Sequence, residues 1–350
     1  MNGNASLDTI AHNLVKRGIL AADESHGTVD KPGTMRKRLS SVGLEPSDAN
    51  IIAYRQMLFS APGLEEQISG IIVTPETLAG KVEEQPTATY LRNKGIISVV
   101  KVDTGSHPRI EPYKQQNTTG SDNLHARLSD YRKWGAQATK WRAVFTISDA
   151  TPTNNAIAAN VDGLSLYARL VQDAGLVPIV EPEILHEGGH SIDSCYYETG
   201  RVLRALFSRL REYGVYMPGM VLKPSMVLAG KDYHPASEAM KIARATYACM
   251  ENCVPASVGG VAFLSGGQSD EQAVQNLNML NQLHEIAYHQ TPWRMTFSFG
   301  RGLVAEPLKI WAKNGQTPED PQHALLERAQ ACLMASQGLL PSDFQYRYHA

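Results

Sequence analysis

Residues 219–225 read Gly-Met-Val-Leu-Lys-Pro-Ser. Met220, Val221 and Leu222 run without a break into Lys223, and Pro224 then forces the backbone out of any strand. An apolar run bounded by Gly and Pro predicts a strand buried on both faces, as in a parallel sheet. Lysine is rarely fully buried without a partner, so a lysine ending such a strand has two readings. It is a surface lysine at a strand end, or a desolvated amine able to attack a carbonyl carbon and form a Schiff base. The rest of the chain has to decide.

The pattern recurs. Further apolar runs at residues 18–22, 70–74, 96–100, 138–145, 176–180, 259–264 and 294–298 bring the strand candidates to eight, about 40 residues apart, the pitch of one strand–helix unit. Amphipathic patterns predict helices over residues 7–17, 35–42, 47–58, 124–134, 154–173, 192–213, 236–250, 270–288 and 321–336, and the polar stretch 111–122 reads as a loop. No glycine-rich fingerprint follows the first strand, which counts against a dinucleotide-binding sheet. The α/β class with a single (β/α)8 barrel, the TIM-barrel architecture, fits best. No linker or shift of composition divides the 350 residues, so they are expected to form one domain with a short tail from about residue 338.

Bulk properties narrow the partners. The formal net charge is −2 and the basic residues are scattered, so neither nucleic acid nor a membrane surface is expected as the main partner. Cys195, Cys249, Cys253 and Cys332 have no zinc-like pairing, and Cys249 and Cys253 lie four apart on an expected helix. All four read as reduced thiols of a cytoplasmic protein. The first residues lack a basic segment followed by an apolar one, and no apolar run approaches the roughly 20 residues that span a bilayer.

Charged or hydroxyl residues fall within or just after most of the strands: Asp23, Lys101, Lys140, Glu181, Lys223, Ser265 and Arg301. In a barrel of parallel strands these ends converge on one mouth, where active sites are built. Such a constellation favours the reactive reading of Lys223. Positive charge at Lys140 and Arg142, which share a strand face, disfavours a second ammonium nearby and frees the lysine lone pair. Glu181 and Glu183, placed after the strand 176–180, offer a carboxylate for the proton transfers of carbinolamine formation and dehydration. As salt-bridge partners of Lys140 and Arg142 they would have a structural role compatible with that one. Ser265-Gly266-Gly267 and Gly300-Arg301-Gly302 suit a phosphate site, through exposed backbone N–H groups and a guanidinium. His186-Glu187-Gly188-Gly189-His190 matches a zinc-protease motif, but only a helix would put both imidazoles on one face. Two adjacent glycines cost about 1 kcal/mol each in a helix, so a loop is expected there and no metal.

Seven segments together closely resemble class I, Schiff-base fructose-bisphosphate aldolases. They are Ala21-Ala-Asp-Glu-Ser25, Lys101-Val-Asp103, Lys140-Trp-Arg142, Val180-Glu-Pro-Glu-Ile-Leu185, Leu222-Lys-Pro-Ser-Met-Val227, Phe263-Leu-Ser-Gly-Gly-Gln-Ser269 and Ser298-Phe-Gly-Arg301, in order across residues 18–305. The resemblance implies reversible cleavage of fructose 1,6-bisphosphate to dihydroxyacetone phosphate and glyceraldehyde 3-phosphate, in glycolysis and gluconeogenesis, without metal or cofactor. It implies Lys223 as nucleophile at the C2 ketone and Glu181 as main general acid/base, with Asp23, Lys140 and Glu183 positioning and polarising hydroxyls. Ser265, Gly266, Gly300 and Arg301 would hold the 1-phosphate. Ser25 and Lys101 would lie toward the 6-phosphate, with Lys37, Arg38 and Arg142 as further substrate contacts. The family's usual assembly implies a homotetramer.

Three departures from the family stand out. Residues 26–34 hold extra chain, including Lys31-Pro32-Gly33, before the Lys-Arg-Leu helix. Lys37-Arg38-Leu39 matches the family pair because Ser-Ser-Val-Gly follows it, and Lys31 is the competing candidate. Many members end in a tyrosine that assists proton exchange, whereas this chain ends Phe344-Gln-Tyr-Arg-Tyr-His-Ala350. Either Tyr346 or Tyr348 takes that part, or the tail makes a subunit contact. Phe299 stands where the family often has Tyr. Two alternatives stay open: a Schiff-base aldolase preferring another phosphorylated sugar, such as sedoheptulose bisphosphate, and a non-catalytic scaffold. Presence of both Lys223 and Glu181 counts against the scaffold.

Overall fold

The computed structural model describes residues 2–235, 237–286 and 291–349. Eight parallel strands close into a barrel: β1 Gly18–Ala22, β2 Ile68–Val73, β3 Ile97–Lys101, β4 Ala138–Phe145, β5 Val177–Ile184, β6 Val221–Leu222, β7 Val261–Phe263 and β8 Met295–Phe299. Successive strands are neighbours, and β8 returns to β1 with Ile19 opposite Ser298. Helices lie between successive strands, the longest being Asn154–Asp173 and Ile192–Glu212. The eightfold barrel expected from the apolar runs is the fold observed.

Side chains of a strand alternate between its two faces. One set, including Ile19, Ala21, Val99, Ala138, Ile179 and Val221, forms a compact apolar cluster along the barrel axis. Leu7, Ala11, Leu14 and Val15, from the N-terminal helix Asn2–Leu14 and the residue after it, join that cluster and plug one end of the barrel. The alternate set, including Leu20, Trp141, Val180 and Leu222, packs outward with helix residues such as Tyr167 and Leu206. Continuing the inward set two residues at a time toward the strand C-termini leads to Asp23, Lys101, Lys140, Glu181 and Lys223. Strand alternation thus aims the polar residues at the mouth opposite the plug.

Several expectations need correction. β5 runs on to Ile184, so Glu181, Pro182 and Glu183 lie inside the strand rather than after it. The stretch expected as a loop contributes to a hairpin, Gly105–Ile110 paired with Gln115–Thr119. Its residues are polar because it packs through side-chain amides rather than apolar contact: Asn160 accepts from the Thr118 N–H at 3.1 Å and donates to the Gln116 carbonyl at 2.8 Å. A helix after β8, Arg301–Lys313, carries Pro307 in its interior, which masked its periodicity. Helices expected from residue 236 and to residue 288 are observed as Ala239–Cys253 and Asp270–Ile286, and positions 236, 287 and 288 lie outside the described residues. All four cysteines are free. Among the described residues no helix is long and apolar enough to cross a membrane.

Gly18 shows how closely the barrel is filled. A Cβ there would come within 1.9 Å of the Phe297 ring, a buried side chain with nowhere to retreat. We expect Gly18→Ala to lower the unfolding free energy by about 1–3 kcal/mol, the usual cost of overpacking a filled core. Urea denaturation measures this, and an unchanged midpoint would mean that the ring moves aside freely.

Candidate active site

Register brings the charges together. β3 pairs with β4 so that Lys101 faces Lys140, and β4 pairs with β5 so that Arg142 faces Glu181. Beyond the end of β6, the Lys223 backbone N–H donates to the Val180 carbonyl at 2.8 Å, which sets its side chain level with Glu181. Lys223 Nζ lies 3.2 Å from Glu181 Oε1. Lys140 Nζ lies 3.2 Å from the other oxygen, Glu181 Oε2, and 2.6 Å from Asp23 Oδ2. Lys223 and Glu181 are each only 4% exposed, and Lys140 3%. Lys223 is therefore no surface lysine.

Burial alone would raise the Asp23 and Glu181 carboxyls. Lys140 and Lys223 outweigh it, helped by Lys101 at Asp23 and Arg142 at Glu181, and hold both below the usual carboxylate range. Burial would lower Lys140, but Asp23, Glu181 and Asp103 raise it above the ordinary lysine value. Lys140 is thus a fixed ammonium whose charge is met by two carboxylates. The bare repulsion expected between Lys140 and Lys223 is compensated here, and the group in contact with Lys223 is Glu181. Although Glu181 Oε2 faces Lys140, it accepts no aligned hydrogen bond, which leaves a buried acceptor for a hydroxyl or water.

These groups open into a cavity of about 490 Å³. It is lined by Asp23, Ser25, Arg38, Lys101, Lys140, Arg142, Glu181, Glu183, Lys223, Ser265, Gly266, Gly300 and Arg301. Seven lysine and arginine side chains face five carboxylates around it, an excess that suits an anionic occupant. Ser265, Gly266, Gly300 and Arg301 follow β7 and β8, whereas Lys101 and Arg142 sit on β3 and β4, across the barrel in the strand order. Gly266 allows a close approach: a Cβ there would come within 2.7 Å of Glu183 Oε1. Arg142 is held by Glu183, and Lys101 Nζ lies 3.5 Å from Asp103 Oδ1.

A family model described as fructose-bisphosphate aldolase class-I matches residues 6–348. The chain belongs to the class-I fructose-bisphosphate aldolase family. It is 41% identical to the muscle-type fructose-bisphosphate aldolase of Lethenteron camtschaticum, across 95% of this chain and 90% of that one. A probable class 1 fructose-bisphosphate aldolase of Xanthomonas campestris is 41% identical, across 85% of this chain and 86% of its own length. Among solved structures, the fructose-bisphosphate aldolase of Plasmodium falciparum, crystallised with TRAP and a small-molecule inhibitor, superposes with a TM-score of 0.92. It is 39% identical, over 98% of this chain and 97% of that one.

The stretch 26–34, read as holding extra chain, is a closed excursion. The Thr28 N–H donates to the Lys31 carbonyl at 3.0 Å, and the Thr34 N–H donates to Ser25 Oγ at 3.1 Å. Chain therefore leaves at Ser25 and returns beside it, and both Ser25 and Thr34 line the cavity. Helix Thr34–Ser41 then presents Arg38 to the mouth. Lys37, about 100° around the helix from it, is exposed and faces a separate surface depression with Val29 and Pro32. Lys37 does not reach the cavity, and neither does Lys31. The sequence reading also missed Glu24, Thr34 and Lys231, which line it. Glu24, directly after Asp23 at the end of β1, was the most legible of these; Lys231 lies in a loop without periodicity. Of the tail candidates, Tyr346 is buried under the Arg328 guanidinium, 4.4 Å from its ring centroid. The Arg347 and Tyr348 N–H groups donate to the Glu327 carboxylate at 2.8 and 3.1 Å. Neither tyrosine lines the cavity.

The depressed carboxyls give a pH dependence. Ordinary values are 3.8 for Asp23 and 4.5 for Glu181. Stability from these groups is complete above those values and is lost as pH falls below them toward the lower folded-state values. Asp23→Asn removes one share of it. Urea unfolding between about pH 6 and about pH 3 should show a shallower acid limb in the variant than in the wild type. Parallel limbs would contradict the pairing.

Proposed function

We propose that this chain performs the reversible cleavage of fructose 1,6-bisphosphate to dihydroxyacetone phosphate and glyceraldehyde 3-phosphate, with Lys223 as the Schiff-base nucleophile. One observation carries the reading: a buried lysine at the barrel mouth, 3.2 Å from a buried carboxylate. Class-I aldolases work through such an imine, and membership of the family supports the same course here.

The Lys223 amine, its proton passed to Glu181, adds to the C2 ketone and forms a C–N bond. A proton moves from the new C–N nitrogen to the C2 oxygen to give the carbinolamine; Glu181 then returns its proton to that hydroxyl, which leaves as water, and an iminium remains. Glu181 then takes the C4 hydroxyl proton. The C3–C4 bond breaks, its electron pair passes into the iminium to give an enamine, and glyceraldehyde 3-phosphate departs. Protonation of the enamine carbon and addition of water release dihydroxyacetone phosphate and restore the amine. Lys140, fixed as a cation, stabilises negative charge developing on oxygen, and Asp23 holds Lys140 in place. Glu183, tied to Arg142, orients a hydroxyl. Ser265, Gly266, Gly300 and Arg301 take the 1-phosphate, and Ser25, Arg38, Lys101 and Arg142 face the 6-phosphate. The chain acts as one domain, in the cytoplasm and as a homotetramer, on the strength of the family resemblance.

Lys223→Met should fold, by circular dichroism, and lose kcat by at least about 10⁴-fold, since the covalent route is gone. Glu181→Gln should lower kcat by about 10²–10⁴-fold with a much smaller change in KM. Near-normal turnover by Lys223→Met would overturn the assignment, and equal losses in kcat and substrate affinity in Glu181→Gln would make that residue structural.

A further inference from the structure

Behind the mouth, on the other side of Glu24, lies a second cavity of about 600 Å³. Arg55, on helix Asp48–Phe59, lines it and does not line the barrel mouth. Arg55 is 2% exposed. Its Nη2 pairs with Glu24 Oε2, but its Nε and Nη1 find no hydrogen-bond partner among the described residues. The other oxygen of Glu24 pairs with Arg38. One carboxylate thus serves two guanidiniums, and Arg55, the buried one of the two, keeps two N–H groups unmet, a costly state without an anion. Asp48 does not supply it, because Arg36 holds that carboxylate, and Glu76 is exposed at the rim. Ile51, Phe59 and Val82 give the cavity apolar walls, and Thr77 and Thr87 add hydroxyls. Its remaining side, His26 to Thr28, comes from the 26–34 stretch that was read as holding extra chain.

We propose that this cavity is a regulatory site for a monoanionic ligand with an apolar body, of the aromatic carboxylate class, bound by Arg55. Size supports this, since small-molecule sites commonly enclose about 300–1,000 Å³. Among the described residues of the lining, Arg55 is the one buried cation, which suits one anionic group, while Asp48, Glu76 and Lys81 are exposed. Occupancy reaches the mouth through Glu24: an anion on Arg55 competes for that guanidinium, the Glu24 oxygen now on Arg55 is released to join the one already on Arg38, and Arg38 is held more firmly away from the substrate. This coupling, unlike the binding, rests on the reading of Arg38 as a substrate contact.

The test is isothermal titration calorimetry of the full chain with 3-phenylpropionate, beside the uncharged 3-phenylpropanol. We expect one carboxylate per chain and at least about tenfold weaker binding of the alcohol, as loss of the charged contact requires. Arg301→Ala, in the mouth, should leave the affinity unchanged. Ile52→Trp, at an exposed position lining the cavity, should abolish binding without disturbing the fold, and Arg55→Met should do the same if it folds. Saturating probe should raise the KM for fructose 1,6-bisphosphate by about twofold or more, and Ile52→Trp should remove that effect. No binding, meaning a merely hydrated cavity, would overturn the site, as would binding lost in Arg301→Ala. Binding without a change in KM would overturn the coupling. Should the chain show no aldol cleavage at all, calorimetry still decides the site.

Discussion

Everything at the mouth depends on the Glu181 carboxylate lying between two buried lysines. Removing an ion from water costs several kcal/mol, recovered only where an opposite charge and good geometry wait for it. Asp23, Lys140, Glu181 and Lys223 meet that condition collectively: two carboxylates and two amines in contact, all buried except Asp23, which is partly exposed at the mouth. Deleting any one would strand a charge on its neighbour. The pairing that makes burial tolerable also puts a carboxylate against Lys223, the lysine proposed as nucleophile. On the proposed roles, structural and catalytic demands are met by the same atoms.

The barrel makes this economical in sequence. Four different strands each contribute one residue of the cluster, within the strand for Lys140 and Glu181 and directly after it for Asp23 and Lys223, and strand alternation aims these side chains at the axis. Apolar residues of the same parity fill the axis below, and the N-terminal helix closes the far end. Within the barrel axis, the cations therefore gather at the mouth opposite that helix. There they sit on opposite walls, after β7 and β8 and on β3 and β4, a layout suited to a substrate with an anion at each end.

Much of this was legible because parallel strands buried on both faces are unusually plain in sequence. The run 138–145 and the helix 154–173 were read with the boundaries the structure has. Failures have physical causes. The fifth strand was expected to end at Val180, where the apolar run stops, yet β5 continues through Pro182 to Ile184. The hairpin 105–119 is held by backbone pairing and by Asn160, so it lacks an apolar signature. Helix Arg301–Lys313 was hidden by Gly302 and Pro307. Lys37 and Arg38 are adjacent, and only the helix phase, set by the closure of the insertion on Ser25, tells which one turns inward. Glu24 was overlooked because its importance comes from two arginines at positions 38 and 55, a contact that no local spacing reveals.

The most direct measurement is reduction of the enzyme with borohydride in the presence of dihydroxyacetone phosphate and EDTA, followed by peptide mass spectrometry. The account predicts one reduced triose-phosphate adduct per chain, on Lys223. An adduct on Lys140 instead, or cleavage activity with no adduct on any lysine, would contradict it.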